Sequence, residues 1–278
     1  ADDTLGFSIS KMMFEGPDAE LMKTEFTQPA ILTASVAVWQ VLKENGIEAD
    51  IAAGHSLGEY SALVAAGALS FADAVHTVHL RGKFMQEAVP LGKGAMAAVI
   101  GLTPDEIVKL CGDVSTEDAP VQAVNFNCPG QVVIAGEAGA VEKACGALKE
   151  AGARRAVMLK VSAPFHSTLM EPAAKRLKEV LDTISIHDTL IPVFANVNAK
   201  EETKADEIRK NLVDQAAHAV HWEESVRNMI AGGVDCTVEV GPGTVLSGFM
   251  RKIDRSVTNL HAEDIDTINE VVSTLKGE

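Results

Sequence analysis

Asp50–Leu69 reads DIAAGHSLGEYSALVAAGAL, and this stretch decides the fold. Within it, Gly54-His55-Ser56-Leu57-Gly58 fits G-x-S-x-G. The pentapeptide joins a short apolar segment, Asp50 to Ala53, predicted as a buried strand, to a helical run that begins at Leu57. Strand, tight turn and helix are the setting that a nucleophile elbow requires. The serine hydroxyl must project from the turn into a cleft, and the flanking glycines let strand and helix approach closely. The start of the helix favours developing negative charge, and the Leu57 N–H is placed as an oxyanion donor. The competing reading is a chance pentapeptide in a Gly-rich turn.

Outward from this turn, helical and strand-like segments alternate, which indicates an α/β fold. Upstream, TQPAILTASVAVWQVLKENG reads as a helix with Thr27 as cap, Pro29 in the first turn and Gly46 past the end. Downstream, Ser70 to Asp73 resembles a capping box opening a helix to about Val89. From about Gly94 to Val161 the pattern changes. GAMAAVIGL, VQAVNFN, QVVIAGE and RRAVMLKV read as strands, and TPDEIVKLCGDV and AGAVEKACGALKEAG as helices. The order β-α-β-β-α-β is that of a ferredoxin-like unit. The expected fold is therefore a larger α/β-hydrolase-like domain, residues 1–92 and 162–278, carrying an inserted ferredoxin-like subdomain at 93–161. In the second part a helix from Ser167, strands at LIPVFANV and CTVEV, and a helix at WEESVRNMIAGG follow.

The composition sets limits. With 47% hydrophobic and 23% charged residues in 278, the chain has the make-up of a globular protein with a sizeable core. No apolar run is long enough to span a bilayer, and ADDTLGFSIS has no signal-peptide character. A net charge of −15 argues against nonspecific nucleic-acid binding, although a local basic pocket can still hold an anion. Cys111, Cys128, Cys145 and Cys236 form no C-x-x-C pair and read as reduced core cysteines of a cytoplasmic protein.

A serine nucleophile needs a base. Among eight histidines, His166 stands out because VSAPFH follows the last strand of the inserted unit, on a loop where two subdomains meet. The alternative is a surface or capping histidine. His76 and His79, and His218 and His221, are spaced three apart, but no further ligand completes a metal set, so no metal is expected. Arg81 shares a helix face with Val78 and Met85. An arginine on an apolar face must find an anion, and its planar fork matches a carboxylate. The alternatives are a snorkelling arginine or one paired structurally.

Taken together, GHSLGEYSALVAAGAL, RGKFMQEAVP, GAMAAVIG, VNFNCPGQVVIAG, PFH and EVGPGTVL closely resemble the malonyl-CoA:acyl carrier protein transacylase family of bacterial fatty acid synthesis. The resemblance runs from Leu5 to the last strand. It implies that Ser56 forms a malonyl ester and that His166 is its base. The Gln215 position would supply the carbonyl that orients the histidine in a Ser-His dyad. Arg81 would bind the free malonyl carboxylate, and Gln28 would line the pocket. Phe165 is what malonyl-selective members tend to carry. Asn125 and Asn127 match polar positions near the cleft, and His55 counts among the substrate-binding candidates. The implied partners are malonyl-CoA and an acyl carrier protein, with no cofactor, no membrane and a monomeric state. The family normally opens with a strand ending in G-Q-G-x-Q, which supplies a second oxyanion donor. This sequence starts after it, and the expectation is a working protein that has that segment. A cut chain whose pieces stay associated is the alternative. A hydrolase using the same elbow, or an inactive acyl-binding scaffold, are the competing functions.

Overall fold

The computed structural model describes residues 1–161 and 163–277; Ser162, in the expected second boundary, and Glu278 lie outside the described residues. Three short helices, α1 (Asp2–Leu5), α2 (Ile9–Glu15) and α3 (Asp18–Leu21), lead into the long α4 (Thr24–Glu44). After it come β1 (Ala52–Ala53), α5 (Leu57–Ala65) and α6 (Phe71–Ala88). Then β2 (Gly94–Ile100), α7 (Pro104–Val114), β3 (Val121–Cys128), β4 (Gln131–Glu137), α8 (Ala138–Glu150) and β5 (Arg155–Met158) form a continuous block. Beyond a 3₁₀ turn at Thr168–Met170, the chain continues with α9 (Glu171–Leu181), β6 (Val193–Phe194), β7 (Glu201–Glu202) and α10 (Ala205–Gln215). It ends with α11 (Trp222–Ala231), β8 (Cys236–Val240), α12 (Val245–Ile253), β9 (Thr258–Ala262) and α13 (Ile265–Lys276). The fold is thus mixed α/β.

The block from β2 to β5 makes one antiparallel sheet in the order β3-β4-β2-β5. One face is sealed by α7 and α8, whose Ile107, Cys111, Val141, Ala144 and Leu148 meet Ala97, Val99, Val132 and Ile134. The other face presents Met96, Val124, Val133 and Ala135, and Phe165 packs on it. That contact ties the sheet to the loop that carries His166. The chain enters the block at Gly94 and leaves past Pro164, so close together that a Cβ on Gly94 would collide with the Pro164 ring.

The rest of the molecule is held by a helical core in which Leu32, Tyr60, Leu63, Val78, Met85, Leu177, Ile208 and Leu212 are buried together. Two small sheets thread it. In one, β1 pairs in parallel with β6, which pairs antiparallel with β7. In the other, β8 and β9 run in parallel. Backbone bonds from Phe126 N to Val220 O at 2.9 Å and from Val220 N to Val124 O at 2.8 Å stitch the four-stranded block to this part.

Several boundaries move from expectation. The helix expected at Thr27 starts a turn earlier, at Thr24, so Pro29 lies inside it. Thr27 caps nothing; its hydroxyl donates to the Leu21 and Lys23 carbonyls at 2.6 and 3.1 Å. An internal proline leaves the carbonyl four residues back without its helical donor. Here that carbonyl is Glu25 O, and His79 Nδ1 donates to it at 2.8 Å. The strands expected at Asp50–Ala53 and LIPVFANV shrink to the two-residue β1 and β6.

Candidate active site

Ser56 sits between β1 and α5 with φ 53° and ψ −107°, a conformation that L-residues seldom adopt. It persists because its surroundings hold it. Ser56 N donates to Asn196 Oδ1 at 2.6 Å, and Ser56 O accepts from Gln215 Nε2 at 2.9 Å. Gly54 is required by packing, since a Cβ there would collide with the backbone of Gly58. The Leu57 N–H is the first of α5 and has no intrahelical partner by position, so it is free to meet an oxyanion beside the hydroxyl.

His166 also has a positive φ, 63°, and is 2% exposed. Its Nδ1 lies 2.7 Å from the main-chain oxygen of Gln215, and its Nε2 lies 2.7 Å from Ser56 Oγ. A carbonyl can only accept, so Nδ1 carries the proton and Nε2 offers its lone pair to the serine. Burial, with the Arg81 charge second, lowers the imidazole to about 3, so it is neutral and ready to receive a proton. No carboxylate takes the orienting position.

Arg81, on α6, is 2% exposed. Its Nη1 donates to Gln28 Oε1 at 2.7 Å, and its Nη2 to Gln215 Oε1 at 2.8 Å and Ser56 Oγ at 3.1 Å. All three acceptors are neutral, and its Nε has no partner. A buried guanidinium whose hydrogen-bond acceptors are all neutral, with the Glu59 carboxyl acting on it from beyond Gln215, can receive an anion at the reactive hydroxyl. Gln28 is fixed in turn by α4, its Nε2 donating to Thr24 Oγ1 at 3.0 Å.

Ser56, Leu57, His166, Gln215, Arg81 and Gln28 therefore converge. Phe165 is half-buried beside His166. His55 turns the other way: its Nε2 is 2.9 Å from Asn127 Oδ1, and its ring packs against Trp222 and Phe249. Burial lowers its pKa. Asn125 pairs through its backbone with Val220, and its Oδ1 is buried without a partner. Neither His55 nor Asn125 is among the hydrogen-bond partners of the Ser56–His166 pair within the described residues. Among those residues there is also no group of three or more His, Cys, Asp or Glu that could hold a metal, and no helix long and apolar enough to cross a membrane.

Four buried polar residues around the site, Glu59, Asn196, Glu202 and Asn211, were not singled out from sequence. Glu59, on the first turn of α5, is fully buried, and its Oε2 accepts from Asn196 N at 2.9 Å and Gln215 Nε2 at 3.0 Å. Asn196 follows β6, and its Nδ2 donates to Gly54 O at 2.7 Å. Glu202, on β7, is 1% exposed and accepts from Asn211 Nδ2 at 2.7 Å. Burial raises both carboxyl groups; for Glu202 the Glu59 charge adds to the rise. The available signal was a glutamate three positions into an otherwise apolar helix.

The family model described as an acyl transferase domain matches residues 1–276. A malonyl CoA-acyl carrier protein transacylase of Bacillus subtilis (strain 168) is 50% identical over 278 residues, 100% of this chain and 88% of that protein. The one of Escherichia coli (strain K12) is 51% identical over 259 residues, 93% of this chain and 84% of that protein. The solved malonyl CoA-acyl carrier protein transacylase from Coxiella burnetii superposes with a TM-score of 0.96 at 39% identity, covering 99% of this chain and 87% of that one. A type II PKS acyl-carrier protein in complex with its malonyl-transacylase matches with a TM-score of 0.95 at 46% identity, covering 100% of this chain and 89% of that one.

Proposed function

The chain belongs to the malonyl CoA-acyl carrier protein transacylases of the acyl transferase family, and from that premise we propose that it moves a malonyl group from coenzyme A to an acyl carrier protein through an ester on Ser56. The observation that carries this reading is the 2.7 Å contact between Ser56 Oγ and His166 Nε2, with Arg81 Nη2 at 3.1 Å from the same hydroxyl.

The chemistry follows from those positions. His166 Nε2 removes the hydroxyl proton as Oγ attacks the thioester carbonyl. The oxygen that gains charge is met by the Leu57 N–H at the start of α5. Collapse of the tetrahedral adduct breaks the C–S bond. The imidazolium returns its proton to the departing sulfur, and coenzyme A leaves as the free thiol. The phosphopantetheine thiol of the carrier protein then enters and runs the same steps in reverse, with His166 taking the thiol proton and returning it to Ser56 Oγ. The malonyl carboxylate sits against Arg81, where a hydrolase of simple esters would have no use for a buried cation. Phe165, half-buried beside His166, completes the wall.

In this reading the block from β2 to β5 is a ferredoxin-like subdomain, residues 93–161, inserted into a larger α/β-hydrolase-like domain made of 1–92 and 162–278. The β3-β4-β2-β5 order and the helices on one face support it. One chain supplies every group named, so a monomer suffices, and four free cysteines accord with a cytoplasmic enzyme.

Intact-mass measurement after mixing with malonyl-CoA tests the proposal. The expected result is one malonyl adduct on the wild type and none on Ser56→Ala. An adduct on Ser56→Ala would remove Ser56 as nucleophile; rapid release of free malonate would make the enzyme a hydrolase.

A further inference from the structure

A fully buried carboxylate is costly unless its lone pairs are used. Glu59 uses one oxygen twice, toward Asn196 N and Gln215 Nε2, while its Oε1 is buried without a partner, which is why burial raises the group. Each of these residues holds Ser56 from a different side. Asn196 Oδ1 accepts the Ser56 N–H, and its Nδ2 donates to Gly54 O, two residues earlier. Gln215 Nε2 donates to Ser56 O. Both main-chain polar groups of a serine with φ 53° are thus gripped by the side chains of two residues that each donate to one Glu59 oxygen, Asn196 through its main-chain N–H and Gln215 through its amide.

The carboxylate also settles an ambiguity. A glutamine amide fits its site in two orientations that exchange oxygen for nitrogen. An acceptor-only carboxylate demands the NH₂ of Gln215, which turns Gln215 Oε1 onto Arg81 Nη2 at 2.8 Å. The same residue's main-chain oxygen takes the His166 Nδ1 proton. Glu59 thereby reaches nucleophile, base and guanidinium without touching substrate, since it lies behind the elbow.

We propose that Glu59 is a positioning residue for acyl transfer, its carboxylate holding Asn196 and Gln215 so that Ser56, His166 and Arg81 are aligned. The proposal rests on the reading of Ser56 as nucleophile.

The test compares wild type, Glu59→Ala and Glu59→Gln. Thermal unfolding reports the fold. Malonyl transfer gives kcat and KM, and labelling by a serine-directed fluorophosphonate reports the reactivity of Ser56 without any malonyl group. Glu59→Ala is expected to slow labelling and kcat together by about 10- to 100-fold, the scale of an ångström-sized misplacement, with KM for malonyl-CoA within about twofold. Glu59→Gln keeps an acceptor oxygen for both donors and is expected to return within about fivefold of wild type. If Glu59→Ala does not fold, Glu59→Asp, one methylene short of both donors, is measured instead with the same expectation. A folded variant that labels and transfers at the wild-type rate overturns the proposal, as does a Glu59→Gln as slow as Glu59→Ala. Failure of the wild type itself to label would instead strike the reading of Ser56.

Discussion

Arg81→Ala should change which acyl groups the enzyme accepts. In the wild type the guanidinium is 2% exposed and bonded to Gln28 Oε1, Gln215 Oε1 and Ser56 Oγ, none of them charged. No anion is hydrogen-bonded to it, although the Glu59 carboxyl acts on it at longer range. A malonyl carboxylate entering the same pocket loses its water and recovers the loss only against this cation. Removing one partner of such a buried pair costs about 2–5 kcal/mol, which is about 30- to 5,000-fold in kcat/KM for malonyl-CoA. Acetyl-CoA carries no carboxylate. It loses only what the Arg81 bond to Ser56 Oγ contributes, about 10- to 150-fold for a bond to a charged group, a loss malonyl transfer shares, and gains a pocket free of an unpaired cation. The assay is kcat/KM for malonyl-CoA and acetyl-CoA in both proteins, with Arg81→Lys as a third, which keeps the charge but not the planar fork. A malonyl-to-acetyl ratio unchanged by Arg81→Ala would refute the reasoning, however slow the variant, because a brace for α6 would depress both acyl groups alike.

Three further outcomes are expected. His166→Ala should lose about 10²–10⁴-fold in kcat, and the wild-type acylation rate should show no acid limb near 6.5, because an imidazole lowered to about 3 keeps its lone pair at all milder pH; a limb at 6.5 in the pH profile of kcat/KM would contradict the burial argument. The Glu202 carboxyl is raised above its ordinary 4.5 in the fold, so its contribution to stability is complete below 4.5 and is lost as pH rises through the raised value; denaturant unfolding between about pH 5 and pH 8 should show Glu202→Gln, which cannot ionise, gaining about 1–3 kcal/mol on the wild type over that interval. Arg154, Arg155, Lys160 and Lys175 are exposed, and reversing the charge of Arg154 and Arg155 should raise KM for the carrier protein while leaving that for malonyl-CoA unchanged; Arg176, bonded to Glu87 at 2.6 Å and lying over the Phe84 ring, is already engaged.

What could be read from sequence depended on how local the signal is. The four-stranded block was legible because its first three strands run seven, eight and seven residues and α7 and α8 each bury one face. In the rest, β1 and β6 are two residues each, too short to show a period. Helix α10 was not read because its buried face includes Asn211 and Gln215 beside Ile208 and Leu212, which breaks the apolar repeat. The Ser56 turn was legible from five residues. Asn196 was not, because its meaning lies in a bond to a residue 140 positions away. Arg81 sat visibly among apolar neighbours, but nothing local indicated that Gln28 and Gln215 would share it.

The pinch between Gly94 and Pro164 makes the four-stranded block a cassette. Its two ends leave the rest of the molecule close together, so a short splice could bridge them at the small closure entropy of a few residues, but losing the block would strip Val220 and Phe165 of their partners. The joint is unforgiving in another respect. Phe165 and His166 follow the pinch immediately, so an insertion or deletion of a single residue at the exit would carry the base off Ser56. The closeness of the ends and the base's dependence on exact register meet at the same joint.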